Sequence, residues 1–498
     1  MHLLTLTSWF SLIWFFYCIE SRTWSEPHNQ QVIFNSGETY TKFESSKVED
    51  AGVLSRWASA TKSQFLAEIL ENKADEWIIV MGNEAGDTDS MAAAIAWAYH
   101  LSNLKRNSQK AIPLLQTVAD ALDLRPENQL ALQKSHMGPR HRDLLTIDEL
   151  PIRAFELSLH LRGIALVDHN VPTPEWHHAP ILSIIDHHAD RKFNLSASPR
   201  VLETSASCCS LVADLILKSE DRGEHATIPG EKSGIPSDLV NLLLRAIALD
   251  SHGLGSASSR EIDHLAVFGL FKLSQWHHPS GKPRDQSREK RQVRKIMKSF
   301  QHEMSEAQLQ LEALDLRDLF RRDWKTSAVQ TNSSRYPYLT IGFASIPYSM
   351  ATQIQRTPEK TVPEWFAIER AFTAEIGADV SVVLTQAKSA ITGHSEKEIV
   401  LVVAHGWGKR LSQAAATDLF KTLCRAVQSE LEGLKDWIRP DNKPLLPRRM
   451  AWRLPNEGYH INRKILMPLI LNAASDWTWD PPDSISGSNK QSLYVMST

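Results

Sequence analysis

Three short apolar runs in the first half of the chain alternate with segments of a different pattern. The runs cover residues 77–81 (WIIVM), 164–167 (IALV) and 181–185 (ILSII), and polar, acidic segments follow each of them. Runs of this length and composition are typical of strands that are buried on both faces. The alanine-rich segment 90–98 predicts a helix after the first run. Strands that alternate with helices predict a parallel sheet covered on both faces.

The second half of the chain has its own set of apolar segments. Strand-like runs cover residues 339–344, 380–384 and 399–404, and the stretch 411–437 predicts one long amphipathic helix. Another helical stretch is predicted to end at about Asp318. These segments predict a second α/β unit.

A chain of 498 residues is too long for one hydrophobic core, so two domains are expected. The polar segment 277–291, which contains proline and glycine, marks the boundary between them. The prediction is therefore an α/β fold, with an N-terminal parallel-sheet domain and a smaller C-terminal α/β domain. The predicted divisions are a leader and linker at 1–50, the first domain at 51–276, a linker at 277–294, the second domain at 295–480 and a tail at 481–498.

The composition is that of an ordinary globular protein without an excess of basic residues. Hydrophobic residues make up 42% of the chain, and the formal net charge is −3, so no nucleic-acid polymer is expected as a partner. The four cysteines include no CxxC pair, and the adjacent Cys208 and Cys209 are interpreted as small buried thiols. This cysteine usage fits a reducing compartment, and a cytoplasmic location is predicted.

The N-terminus contains an apolar, aromatic-rich run from Ser8 to Ile19. The run is shorter than the roughly 20 residues of a membrane span, and the residues after it make a poor signal cleavage site. Two interpretations stay open. Residues 1–21 are either a secretory signal or anchor, or a leader that takes no part in the fold. A membrane partner and a secretory location are expected only in the first case.

Four segments with carboxylates or imidazoles follow predicted strands or helices. Ligands of parallel sheets bind beyond the carboxyl ends of the strands, so these segments are expected to form one site. Asp87 and Asp89 are two residues apart, and in an extended loop their side chains would diverge and could hold two different metal ions. Two divalent ions suit phosphoryl transfer, and these ligand types favour Mn or Mg, with Co or Zn as alternatives. The segments are 82–90 (GNEAGDTDS), 167–170 (VDHN), 185–188 (IDHH) and 248–251 (ALDS).

The ordered motifs GNEAGDTDS, LVDHN and IIDHH resemble those of the DHH phosphoesterase superfamily. The resemblance extends over about 77–469 and is best to the exopolyphosphatase branch, near the family II inorganic pyrophosphatases and the prune proteins. It implies an active site with two metal ions, in the cleft between a DHH domain and a DHH-associated domain. The implied roles are Asp87 at the first ion, Asp89, His187 and Asp250 at the second, Asp168 bridging both, His188 donating a hydrogen bond or proton to the substrate, and Asp186 orienting an imidazole.

The chain departs from the pyrophosphatases at Asn83, where those enzymes have a histidine. The exopolyphosphatase and prune branches resemble this chain in having Asn or Asp at that position. An amide oxygen is a weaker ligand for Mn than an imidazole. Asn83 is therefore a candidate ligand of a weaker first metal site, and pyrophosphate becomes a less favoured substrate.

A polyphosphate carries about one negative charge per phosphate unit, so cationic side chains must accompany the acidic metal site. Residues 321–325 (RRDWK) resemble the R-x-D-x-K element of the DHH-associated domain, and 462–464 (NRK) resemble its SRK element with Asn in place of Ser. The resemblance implies that Arg463 and Lys464 bind substrate phosphates across the cleft. The further candidates are Lys325 and Arg453. A solvated basic face is the alternative for both clusters.

The expected function is removal of the terminal phosphate from inorganic polyphosphate. One alternative is an inorganic pyrophosphatase or a nucleotide phosphodiesterase on the same fold. The other is a prune-like scaffold protein with little catalysis, which is opposed by the presence of all the carboxylates and both DHH histidines. Close packing near the metal ions, without any chemistry, is predicted for Ser205–Ser210, which lies where the family has a small-residue motif.

Overall fold

The computed structural model describes residues 51–138, 142–231, 233–255, 257–277, 286–388, 395–405, 411–439, 443–454 and 461–479. The predicted leader at 1–50, with its apolar run, and the predicted tail at 481–498 lie outside these ranges. Among the helices in the described ranges, none is both long and apolar enough to cross a membrane.

The first six strands form one parallel sheet. They are β1 Trp77–Met81, β2 Lys110–Leu115, β3 Leu145–Thr146, β4 Gly163–Val167, β5 Ile181–Asp186 and β6 Arg200–Leu202. Their order is β3-β2-β1-β4-β5-β6, and all neighbouring pairs are parallel. The strand order reverses at β1, and ligands of such sheets bind at the reversal. The three predicted apolar runs are β1, β4 and β5.

Helices cover both faces of this sheet, as predicted. They are α1 Val53–Leu70, α2 Thr88–Ser102, α3 Pro126–Lys134, α4 Ala154–Ser158, α5 Cys208–Asp221, α6 Ser237–Asp250, α7 Glu261–Leu273 and α8 Gln286–Gln308. Alternate residues of a strand point to opposite faces. Ile78 and Val80 of β1 accordingly join the core beneath α2, α5 and α6, while Ile79 and Met81 join the core on the other face.

Helix α8 begins inside the segment 277–294 that the sequence predicts to be a linker. Its apolar side chains recur every three or four positions, so they form one face of the helix. That face is buried in the core of the first domain, through Val293, Met297, Phe300 and Met304. In the described part of the segment, the charged residues Arg288, Lys290 and Arg291 therefore lie on the exposed face of a packed helix, while residues 278–285 lie outside the described ranges.

The second half of the chain forms a mixed sheet with helices on both faces. Its elements are α9 Leu316–Arg322, β7 Trp324–Gln330, β8 Tyr338–Ile346, α10 Met350–Gln355, α11 Val362–Glu375, β9 Val380–Lys388, β10 Ser395–Val403, α12 Gln413–Glu430, β11 Lys435–Asp436, β12 Arg449–Arg453 and α13 Arg463–Ser475. The strand order is β11-β12-β10-β9-β8-β7. Helices α12 and α13 cover one face, and α9, α10 and α11 cover the other. This agrees with the predicted second α/β unit.

Two helices of the second half are shorter than predicted. The helical stretch expected to reach Asp318 ends at Gln308, and Asp318 belongs to a separate helix, whose N-cap Asp315 accepts a hydrogen bond from Asp318 N at 2.8 Å. The helix expected over 411–437 ends at Glu430. Gly433 then adopts a left-handed conformation with φ of 74°, and the chain turns so that β11 pairs with β12.

Candidate active site and metal centre

The acidic loops meet because the strands before them are neighbours in the first sheet. Strand β4 lies between β1 and β5, and all three run parallel, so their carboxyl ends share one edge. Asp168 follows β4, and His187 and His188 follow β5. One ligand atom from each of these three side chains lies within 4.8 Å of the other two. The structure thus brings three of the predicted site residues together.

The two aspartates of the β1–α2 loop do not lie in the extended loop that the sequence suggested. Asp87 is the N-cap of α2, and its side chain accepts a hydrogen bond from Ser90 N at 3.0 Å. Asp89 lies in the first turn of the same helix, and its side chain is buried. The two carboxylates have different surroundings because one caps the helix and the other projects from its first turn.

The buried Asp89 carboxylate is held by the start of α5. It accepts hydrogen bonds from Ser207 Oγ at 2.5 Å, Cys208 N at 2.7 Å and Cys209 N at 2.8 Å. The first N–H groups of a helix lack partners within the helix and favour a negative charge. Cys208 and Cys209 are free and buried, as predicted.

The role of Ser207 was missed by the sequence analysis, which assigned only close packing to this segment. Ser207 precedes the first residue of α5, a position where serine commonly caps a helix. Its hydroxyl binds the Asp89 carboxylate and makes no capping hydrogen bond. A serine before a helix that starts close to an acidic motif was the available signal for this contact.

Asp168 is fixed at its backbone and at one carboxylate oxygen. Its φ of 61° is in the left-handed region, which aspartate adopts more readily than most residues. Its Oδ2 accepts hydrogen bonds from Ser90 Oγ at 2.5 Å and Asn83 Nδ2 at 2.8 Å. Its Oδ1 is buried, forms no hydrogen bond within the described residues, and lies 3.2 Å from His187 Nε2. This oxygen is available to a cation.

The hydrogen bonds of the two histidines define which ring nitrogens are available. His187 Nδ1 lies 3.2 Å from the carbonyl oxygen of Ser205, so we assign the proton to Nδ1. Its Nε2 then directs a lone pair towards Asp168 Oδ1, 3.2 Å away, and Asp89 Oδ2, 3.9 Å away. His188 Nδ1 lies 2.7 Å from Oδ1 of the fully buried Asp186, which leaves Nε2 of His188 for another partner.

Several carboxylates at this edge shift one another's pKa. Burial raises the pKa of Asp89, and the charge of Asp168 raises it further. Burial, together with the charges of Asp89, Asp87 and Asp168, raises the pKa of Asp250 well above its ordinary value. Burial also acts to raise the pKa of Asp168, but the positive charge that His187 and His188 carry when protonated outweighs it and holds that pKa well below its usual range.

These side chains fit a divalent metal ion. Carboxylate oxygens with imidazole are ligands that Mn accepts readily. A lone pair of His187 Nε2 that faces two carboxylates is repelled by them unless a cation or a proton lies between. One of the oxygens that this lone pair faces is Asp168 Oδ1, which forms no hydrogen bond within the described residues. The charges of Asp87 and Asp250 also act on this edge of the sheet.

Asn83 lies beside Asp168 at the end of β1. Its Oδ1 accepts a hydrogen bond from Ala85 N at 3.0 Å, which turns its Nδ2 towards the Asp168 carboxylate at 2.8 Å and the Asp168 carbonyl at 3.3 Å. The residue therefore occupies a position next to a candidate metal ligand. In this arrangement its amide supports Asp168 by donating hydrogen bonds.

Cationic residues of the second domain lie close to the acidic edge. Arg463, the first residue of α13, donates hydrogen bonds to Oδ1 and to the carbonyl oxygen of Asp323, both at 3.0 Å. Lys325 and Lys464 form no hydrogen bond or ion pair in the described part of the chain. The charge of Lys325 makes a small contribution to lowering the pKa of Asp168. The charge of Lys464 offsets a small part of the increase in the pKa of Asp250. Both lysines therefore lie near the carboxylates.

Arg453 lies away from Lys325 in the second sheet. It lies on β12, which three strands separate from the β7 strand that carries Lys325. With neighbouring strands about 4.8 Å apart, the distance across the sheet is on the order of 19 Å. The Arg453 side chain is 55% exposed, and its Nε lies 3.7 Å from Glu398 Oε1. The predicted substrate contact of Arg453 therefore finds no support in its position.

Two family models match the chain over ranges that contain most of the residues described above. The "DHH family, N-terminal domain" matches residues 77–247, which include the strand ends with their aspartates and histidines. The "DHHA2 domain" matches residues 302–473, which include Lys325, Arg463 and Lys464. The two matches together cover more than half of the chain.

The curated relatives have related names. A "Putative exopolyphosphatase" of Schizosaccharomyces pombe is 30% identical over 198 residues, which are 39% of this chain and 49% of that protein. "Exopolyphosphatase PRUNE1" of Bos taurus is 32% identical over 187 residues, which are 35% and 39% of the two chains. A "Probable manganese-dependent inorganic pyrophosphatase" of Lactiplantibacillus plantarum is 24% identical over 257 residues, 49% and 73% of the two chains. The chain thus spans about half or less of the length of the first two relatives. The two domains and these relatives show that the chain belongs to the DHH superfamily, in its exopolyphosphatase branch.

Proposed function

We propose that the chain is a metal-dependent phosphoanhydride hydrolase that releases the terminal phosphate of inorganic polyphosphate. The observation that carries this proposal is the group formed by Asp168, His187 and His188, close to lysines of the second domain. Metal ions on one side and cationic side chains on the other are suited to a substrate made of linked phosphates. The exopolyphosphatase and manganese-dependent pyrophosphatase names of the relatives support the same chemistry.

Two divalent cations, Mn or Mg, are the proposed cofactors. Bound ions of this kind polarise phosphoryl oxygens and activate the attacking water. The manganese-dependent pyrophosphatases among the relatives support their use here. The proposed ligands are Asn83 and Asp87 for the first ion, Asp89, His187 and Asp250 for the second, and Asp168 for both.

His188 is proposed to transfer a proton to the departing phosphate. Its Nδ1 is held by Asp186 at 2.7 Å, and this contact fixes the orientation of the ring and leaves Nε2 for the substrate. Asp186 is itself fixed, because it is fully buried and accepts a hydrogen bond from Asn170 Nδ2 at 2.5 Å. A histidine positioned in this way is suited to general acid catalysis.

The cationic residues are proposed to bind the phosphate units next to the bond that is cleaved. Arg463, Lys464 and Lys325 all belong to the second domain, so the substrate would lie between the two domains. Asn83 in place of a histidine weakens the first ion site, which favours longer polyphosphates over pyrophosphate.

Phosphate release provides the test. Purified full-length chain is incubated with pyrophosphate, tripolyphosphate or long-chain polyphosphate, with Mn or Mg, and the phosphate and the remaining chain lengths are measured. We expect single phosphates to be released from tripolyphosphate and longer chains at a higher kcat/KM than from pyrophosphate. Asp168→Asn is the inactive control, and Asp190→Asn, an exposed aspartate that pairs with Arg200 at 2.6 Å, is the matched active control.

Three results would contradict the proposal. Preferential hydrolysis of pyrophosphate would make the chain a pyrophosphatase. Cleavage of long chains into fragments without release of single phosphates would exclude an exopolyphosphatase. Absence of phosphate release from every substrate, with either metal, would favour a scaffold protein.

A further inference from the structure

A buried arginine joins the loop between β1 and α2 to the second domain. Arg125 precedes α3, and its side chain is only 7% exposed. Its Nε donates a hydrogen bond to the carbonyl oxygen of Ala85 at 2.9 Å. Ala85 lies two residues before Asp87 and four before Asp89, in the segment that carries the proposed metal ligands. Arg125 therefore fixes the backbone of that segment through a side-chain hydrogen bond.

The other nitrogens of Arg125 reach carboxylates on both sides of the domain boundary. Its Nη1 lies 3.3 Å from Glu127 Oε1, and its Nη2 lies 3.4 Å from Asp323 Oδ1. The same Asp323 oxygen accepts a hydrogen bond from Arg463 at 3.0 Å. Glu127 in turn accepts one from Arg322 at 2.6 Å. One carboxylate oxygen of Asp323 is thus shared by Arg125 and by the proposed phosphate-binding Arg463.

This network has an excess of positive charge. It contains three guanidinium groups and two carboxylates, so one charge is not balanced within it. Burial opposes the charge of Arg125, but Asp323, Glu127 and Asp87 together keep its pKa above the ordinary value. Arg125 is therefore charged in the fold. A phosphate bound at Arg463 would add negative charge beside the shared Asp323 carboxylate and would act on Arg125 through it.

The loop has a second contact with the second domain. Thr326 N, on β7, lies 3.4 Å from Oε1 of Glu84, the residue before Ala85. Within the first domain, Asn128 Nδ2 donates a hydrogen bond to the carbonyl oxygen of Gly86 at 2.8 Å. Three consecutive residues, Glu84, Ala85 and Gly86, are therefore each held by a partner outside the loop. These contacts surround the backbone that leads into Asp87 and Asp89.

We infer that Arg125 is a positioning residue that couples substrate binding at Arg463 to the metal-binding conformation of the β1–α2 loop. Arg125 acts through the backbone of Ala85 on one side and through Asp323 on the other, and it contacts neither metal nor substrate. This inference rests on the proposed function, because it assumes that the loop binds divalent ions.

The first test measures metal binding without any turnover. Metal-free full-length chain is titrated with Mn, and free Mn is followed by electron paramagnetic resonance, for the wild type and for Arg125→Met. We expect the dissociation constant for Mn to rise about tenfold in the variant, as is usual when a residue that supports metal ligands is removed. We also expect tripolyphosphate at saturating concentration to tighten Mn binding in the wild type and to have a smaller effect in Arg125→Met.

Arg321→Met is the matched control. Arg321 also crosses the domain boundary, with its Nη2 2.8 Å from Asp120 Oδ1, but this pair contacts neither the loop nor Arg463. An unchanged Mn affinity in this variant is expected. If both variants lose affinity equally, the contacts act only by holding the domains together and the inference is wrong. It is also wrong if Arg125→Met binds Mn as tightly as the wild type.

Arg125→Lys provides a second variant if Arg125→Met does not fold. Lysine keeps the charge but cannot donate to Ala85 and to Asp323 with fixed, diverging N–H groups. We expect it to bind Mn more weakly than the wild type, and wild-type affinity and coupling would overturn the inference. Mn binding by the wild type without phosphate release would reject the proposed function and leave the role of Arg125 intact. A wild type that binds no Mn would reject both.

Discussion

The side-chain amide of Asn83 donates a hydrogen bond to Oδ2 of Asp168 over 2.8 Å. Ser90 Oγ donates to the same oxygen at 2.5 Å, so the other oxygen, Oδ1, is left facing His187. Asn83 therefore contributes, together with Ser90, to the orientation of the central carboxylate.

Replacement of Asn83 by histidine should tighten metal binding and change substrate preference. An imidazole at this position would offer a nitrogen ligand that Mn prefers to an amide oxygen. We expect Asn83→His to need less Mn for half-maximal phosphate release and to gain activity on pyrophosphate relative to tripolyphosphate. Titration of Mn against activity on both substrates measures this. An unchanged metal requirement with an unchanged substrate ratio would show that Asn83 serves only the loop and Asp168.

Removal of the Ser207 hydroxyl should weaken the metal site without touching a proposed ligand. Ser207 Oγ is one of three donors that orient the Asp89 carboxylate. Loss of such a supporting contact typically costs about tenfold or more in metal affinity. We expect Ser207→Ala to raise the dissociation constant for Mn by that factor. Cys208→Ala is the control, because Cys208 contacts the Asp89 carboxylate through its backbone N–H, while its Sγ contacts the carbonyl oxygen of Ile185. Equal affinities in the two variants would contradict the assignment.

Replacement of Asp250 by asparagine should stabilise the metal-free chain and weaken metal binding. The pKa of Asp250 is raised by burial and by three nearby aspartates, so its ionised form destabilises the metal-free fold at neutral pH. We expect Asp250→Asn to unfold at a higher temperature than the wild type without metal. With saturating Mn the order should reverse, because the variant has lost a proposed ligand. Thermal unfolding with and without Mn tests this, and a variant that is less stable in both conditions would contradict it.

Removal of Lys464 should weaken substrate binding while leaving metal binding intact. Lys464 forms no ion pair in the part of the chain that the structure describes, and its charge acts on Asp250. A charge-assisted contact to phosphate contributes about 1.5–3 kcal/mol, so we expect kcat/KM for tripolyphosphate to fall roughly tenfold or more in Lys464→Met. Lys421→Met, at an exposed position on α12, is the control. Unchanged kcat/KM in Lys464→Met would show that Lys464 belongs to a solvated basic face and does not bind the substrate.

A buried pair of histidines at the end of α2 should make stability depend on pH. His100 Nδ1 lies 2.8 Å from His225 Nε2, and burial followed by the charge of His225 lowers the pKa of His100 from 6.5 to about 4. Burial also lowers the pKa of His225, although Glu220 opposes the change. The unfolded chain therefore binds more protons in this range, and stability is lost as the pH falls from about 6.5 towards 4.

The variant His100→Phe removes one titrating group and keeps an aromatic ring against Trp97, whose ring stacks on His100 at 4.7 Å. We expect its unfolding temperature to change less between pH 7 and pH 5 than that of the wild type. The quantity compared is the change in unfolding temperature per pH unit, because the loss of the hydrogen bond to His225 lowers stability at every pH. Parallel slopes would show that the histidine pair does not cause the dependence.

The sequence by itself determined the elements that carry the site. The runs that became β1, β4 and β5 are apolar on both faces, and their length and composition are typical of strands covered on both sides. The acidic motifs after them were therefore predicted to lie at the carboxyl edge of a parallel sheet. Motif order and the resemblance to the DHH superfamily gave the same residues, and the two family matches agree with it.

Tertiary structure decided what lies around those residues. The hydroxyl of Ser207 reaches Asp89 across 118 positions of sequence, and Arg125 reaches Asp323 across 198. Such contacts depend on how helices pack against the sheet and how two domains meet, and no local pattern records them. Arg453 is a further case in which local sequence misleads. It is close to Arg463 in sequence, but three strands of the second sheet separate its strand, β12, from the β7 strand of Lys325.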